Sequence, residues 1–145
     1  MRIMTDQEVQ ESIHAILAQF GNGTYDSQRY VFDQITRLPP GFTSLKTSSG
    51  DALASLNDEA FFLLLDPKPQ NSTGSKEVAE LFSTTLSKGF ELTPQEVKKA
   101  IGVLDCDMYV LSTNYELKIA ACHEDDVVND NRIVWVPVRQ NASAI

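Results

Sequence analysis

Asp107-Met108-Tyr109-Val110-Leu111-Ser112, then Thr113-Asn114, then Tyr115-Glu116-Leu117-Lys118-Ile119-Ala120-Ala121-Cys122 are two β-rich runs parted by turn residues. That order is the signature of a β-hairpin. A two-residue loop at Thr113-Asn114 sets Ser112 opposite Tyr115, Val110 opposite Leu117, Met108 opposite Ile119 and Cys106 opposite Ala121, gathering one apolar face. The alternate face then carries Asp107, Tyr109, Leu111, Glu116 and Lys118 and is expected to meet water, since successive strand side chains point to opposite sides. Thr-Asn is a weaker turn signal than Asn-Gly, so a three-residue loop with Asn114 in the left-handed region is the alternative. A third run, Arg132-Ile133-Val134-Trp135-Val136-Pro137-Val138, completes a C-terminal three-stranded meander. Pro137 cannot donate to a ladder, which places this strand at an edge or ends it there.

Upstream of the hairpin, Thr93-Pro94-Gln95-Glu96 is a capping box with proline at the first helical position, where its missing N–H costs nothing. Val97, Ala100, Ile101 and Leu104 give the helix it opens an apolar side. Thr5-Asp6-Gln7-Glu8 is a second capping box, followed by Val9, Ile13, Ile16, Leu17 and Phe20 at helical spacing and stopped by Gly21-Asn22-Gly23. His14 borders that stripe and reads as a border residue. Between the two boxes, Ala60-Phe61-Phe62-Leu63-Leu64-Leu65 is too short for a helix and reads as a buried, central strand.

The remaining segments are less regular. Tyr25 to Leu38 favours a helix with Tyr30, Val31, Ile35 and Leu38 inward, although Tyr30-Val31-Phe32 also suits a strand. Phe42 to Gly50 reads as a polar connection, and Asp51 to Asn57 as a short helix. Val78, Leu81, Phe82 and Leu86 predict a further helix stopped by Gly89. Gly74-Ser75-Lys76 before it lacks the glycine spacing of a phosphate-binding loop, so a nucleotide site is not expected. The expected fold is α+β, one domain spanning residues 1–145, with helices packed on one face of an antiparallel sheet.

The charge of the chain is concentrated in the loops of the meander. Asp105, Asp107, Glu116, Glu124, Asp125, Asp126 and Asp130 stand against the single base Lys118, so this segment carries −6 of the total −8. These seven acids are the candidate partner-binding residues. Asp105 and Asp107 lead into one strand of the hairpin while Glu124, Asp125 and Asp126 follow the other, so these acids are expected to share a rim. A chain this acidic, with a pI of about 4.6, is not expected to bind nucleic acid, which needs lysine and arginine to displace counterions. A basic protein is the partner its charge suits.

Other chemistry has thinner support. Cys122 and His123 are adjacent, and adjacent strand residues point apart, so an activated thiol is not expected. Asp105, Asp107, His123, Glu124, Asp125, Asp126 and Asp130 offer oxygen ligands suited to magnesium or calcium, the basis of an alternative reading as a metal-dependent enzyme or regulator. The Asp126-Val127-Val128-Asn129-Asp130-Asn131 run lacks the glycine and spacing of a calcium loop, and no cofactor is called for. Cys106 and Cys122 have no partner spacing typical of zinc. The opening residues lead straight into a polar helix, and no apolar run approaches membrane length, so a cytoplasmic location is expected. A third reading is an adaptor that pairs through an edge strand near Trp135.

Residues 107–112, 114–117 and 122–125 resemble the C-terminal hairpin of small, acidic, uncharacterised bacterial proteins, some of them similar to immunity proteins of polymorphic and contact-dependent toxin systems. The resemblance covers residues 105 to 126. Those families often carry a tryptophan in the second strand where this chain has Leu117. It implies a non-enzymatic inhibitor of a basic toxin or nuclease, and it transfers no functional residue.

Overall fold

The structure, a computed structural model, describes residues 1–20, 42–54, 56, 60–65, 79–84, 87–103, 108–121, 127–128 and 131–139. The expected helix over residues 25–38 lies outside the described residues.

Both capping boxes form. The Glu8 amide donates to Thr5 Oγ1 at 3.1 Å and the Thr5 amide donates back to Glu8 Oε1 at 2.9 Å, opening helix α1 (Asp6–Phe20). In the second box the Glu96 amide donates to Thr93 Oγ1 at 3.2 Å and the Thr93 amide to Glu96 Oε1 at 2.9 Å, opening helix α3 (Pro94–Val103). Between them lies the short helix α2 (Ser49–Ala54). Each box satisfies two N-terminal amides that the helix itself cannot. Val9, Ile13, Ile16 and Leu17 of α1 are buried, as are Val97, Ala100 and Ile101 of α3.

The apolar run is strand β3 (Phe61–Leu65), and all of its residues are buried. Fully burying a Phe or Leu side chain is worth roughly 1.5–3 kcal/mol, which far outweighs the few tenths by which these residues prefer one backbone state over another. Its alternation splits the core. Phe61, Leu63 and Leu65 pack with Ala52, Leu53, Val97, Ala100 and Ile101 of α2 and α3. Phe62 and Leu64 pack with Met4 and with Val9, Ile13, Ile16 and Leu17 of α1. The α+β class holds, and helices cover both faces of the sheet where packing on one face was expected. The physical reason is that a strand apolar on both sides needs a cover on both sides.

The remaining strands are β1 (Arg2–Ile3), β2 (Phe42–Ser48), β4 (Gly89–Leu92), β5 (Met108–Ser112), β6 (Leu117–Ala121), β7 (Val127–Val128) and β8 (Asn131–Arg139). The sheet runs in the order β1-β4-β3-β5-β6-β8-β2, with β7 paired to β8. Every pairing is antiparallel. The meander is therefore β5-β6-β8, as expected, and β3 is interior.

Three expectations are corrected. The polar stretch after Phe42 is a strand, β2, paired along its length with β8 from Phe42↔Arg139 to Ser48↔Ile133. Its Ser and Thr content reads as loop in isolation, but at the rim of a sheet such residues are compatible with a ladder. Gly89 does not stop a helix; residues 79–81 are helical, a turn follows, and Gly89 begins β4. Strand β8 is interior, between β6 and β2, and continues through Pro137. It meets β6 at Ala120↔Trp135. Pro137 itself stands opposite Ser44 of β2, and β6 carries a bulge at Lys118.

That bulge also rewrites the hairpin register. Met108 pairs with Ala121, Tyr109 with Ala120, Val110 with Ile119 and Leu111 with Leu117, leaving Lys118 as the extra residue. Tyr109 and Leu111, expected to meet water, are buried beneath α1 together with Leu117 and Ala120. Met108, Val110, Ile119 and Ala121 face the α3 side. One inserted residue moves Leu117 onto the face opposite Ile119, although the two are two residues apart.

Strand β1 ties α1 to the sheet edge. Arg2 Nη1 and Nη2 each donate to a Glu8 carboxylate oxygen at 2.8 Å, and Arg2 Nε donates to Glu91 Oε2 at 3.1 Å. These bonds from Arg2, with the Thr5 amide second, hold the Glu8 carboxyl down at about 2. The guanidinium is held protonated more firmly than usual by Glu8 and then Glu91. Beside this clamp, the Met4 amide donates to the Gly89 carbonyl at 3.0 Å. A Cβ at Gly89 would lie 2.6 Å from Met4 Sδ and 3.0 Å from Val9 Cγ2.

Two measurements check these packing statements. Gly89→Ala is expected to lower stability by about 1–3 kcal/mol through overpacking of Met4 and Val9, read as a fall in the urea midpoint at constant m-value; an unchanged midpoint would contradict the close approach. Because the folded Glu8 pKa lies below its ordinary value, its contribution is present above about 4.5 and is lost as pH falls towards about 2. Glu8→Gln should therefore show a shallower loss of stability across that window than the parent protein in an acid titration followed by circular dichroism.

Candidate functional site

The hairpin tip is the part of the meander whose geometry is fully defined. The Tyr115 amide donates to the Ser112 carbonyl at 2.9 Å, and the Ser112 amide donates to the Glu116 carbonyl at 2.9 Å, which closes a three-residue loop of Thr113, Asn114 and Tyr115. The Glu116 amide adds a bond to Ser112 Oγ at 3.2 Å. Three residues was the expected alternative length, but the left-handed position falls on Tyr115, at φ 61°, and not on Asn114.

A left-handed tyrosine costs about 1–2 kcal/mol. Its surroundings offset this. The ring packs on Phe62 with centroids 5.5 Å apart, a tilted pair worth roughly 0.5–1.5 kcal/mol. The hydroxyl donates to Glu11 Oε2 at 2.9 Å, and Gln19 Nε2 donates to the Tyr115 carbonyl at 2.6 Å. Gln19 Oε1 in turn accepts from the Leu117 amide at 3.4 Å. Helix α1 therefore grips the tip at two points separated by two turns, Glu11 and Gln19. Burial first, and then the Glu11 carboxylate, raise the Tyr115 hydroxyl above its ordinary pKa. None of these three residues stands out in the sequence as a site residue, because each contact joins residues about a hundred positions apart.

Of the seven candidate acids, Glu116 alone falls among the described residues. Its side chain is 64% exposed, with Lys118 Nζ 3.4 Å from Oε2. A pair this open to solvent is worth at most about 1 kcal/mol and leaves Glu116 available to a partner's charge. Asp105, Asp107, Glu124, Asp125, Asp126 and Asp130 lie outside the described residues, as do Cys106, Cys122 and His123. Their chain neighbours are placed: Met108↔Ala121 is the rung at the open end of the hairpin. Glu116 sits at the other end of β6, roughly 16 Å away at about 3.3 Å per residue, so it belongs to the tip.

Among the described residues, no group of three or more His, Cys, Asp or Glu is placed to hold a metal ion. No helix among them is long and apolar enough to cross a membrane. Comparison with protein-family models, with curated proteins and with solved structures finds no match.

The tip has a direct test. The raised folded pKa means that Tyr115 contributes stability below its ordinary value of about 10 and loses it as pH rises beyond. Tyr115→Phe keeps the ring on Phe62 and removes the hydroxyl, so it is expected to cost about 1 kcal/mol at neutral pH. The gap to the parent protein should narrow above pH about 10, measured by urea unfolding at both pH values; a constant gap would mean that the Glu11 contact is not made.

Proposed function

We propose that this chain is a non-enzymatic acidic binding protein that neutralises a basic protein partner, in the manner of an immunity protein held against a basic toxin or nuclease. The observation that carries the reading is the concentration of −6 between Asp105 and Asn131 in a chain of net −8. Charge of one sign in a short stretch speeds encounter with an oppositely charged surface and disfavours like-charged partners. It also disfavours nucleic acid as the ligand.

The scaffold suits the proposal. Met108–Ser112 is buried along its whole length and Leu117–Ala121 nearly so, and the acidic stretches flank these two strands in sequence. Lys118 lies beside Glu116 at the tip, so the acids expected to carry recognition are Asp105, Asp107, Glu124, Asp125, Asp126 and Asp130, with Glu116 secondary.

The experiment is affinity purification of the tagged protein from its native cells at low and moderate salt, with mass spectrometry of the retained proteins. A single basic partner, lost as salt rises, is the expected outcome. Reversing Glu124, Asp125 and Asp126 to lysine should then slow association at least tenfold at low salt, with the fold intact by circular dichroism. Retention of nothing at either salt, or unchanged association of the charge-reversed variant, overturns the proposal.

A further inference from the structure

We draw no further inference here: the strongest candidate, the outer edge of the strand Phe42–Ser48 at the end of the sheet, carries nothing because nothing in the structure shows what covers it.

Discussion

The architecture depends on the burial of both sides of Phe61–Leu65. A strand of five consecutive apolar residues has no face to give to water, so it must lie inside a sheet and beneath two layers. The odd positions take α2 and α3 as cover, and the even positions take α1. The neighbouring strand β5 inherits the same demand: Tyr109 and Leu111 face α1 while Met108 and Val110 face the other helices. The two-sided core follows from one short run, and most of the helix placement follows from the core.

Among the described residues, helix α1 is the sole helix in the cluster on its face, and polar contacts hold it at several points. Near its start, Arg2 joins Glu8 to Glu91 of β4. Further along, Glu11 takes the Tyr115 hydroxyl, and near its end Gln19 binds the backbone of Tyr115 and Leu117. Individually such exposed or half-buried contacts are worth about a kilocalorie per mole or less. Their use is directional: apolar burial alone lets a helix slide or rotate on a sheet, while hydrogen bonds to fixed backbone atoms select one seat.

The sequence is most readable where the interactions are local. Thr5 with Glu8 and Thr93 with Glu96 act over three residues, and both boxes form with the anticipated partners. The meander order is likewise visible from its alternation and turn residues. What the pattern misses depends on distant partners. Strand β6 bulges at Lys118, and nothing in Leu117-Lys118-Ile119 marks it. Pro137 argues for an edge, yet its strand has a neighbour on either side. Residues 42–48 look like a connection because an edge strand can be polar, and Gly89 looks like a helix stop because the demand it meets, room for Met4 and Val9, comes from residues far away in the sequence. Of the candidate site, Glu116 can be located and the other six acids lie outside the described residues.

The placement of Glu116 separates two roles that the sequence runs together. At the tip, its neighbour Tyr115 is committed to structure, and Lys118 balances part of its charge. Beyond the opposite end, Asp105 and Asp107 precede β5 and Glu124, Asp125 and Asp126 follow β6, with no basic residue among them. Self-repulsion among like charges destabilises a compact state, so a run of acids with no base among them adds nothing to stability by its charge. The tip explains itself by the contacts it makes within the fold, whereas the acids that precede β5 and follow β6 in the sequence are the part of the chain that the proposed basic partner would answer.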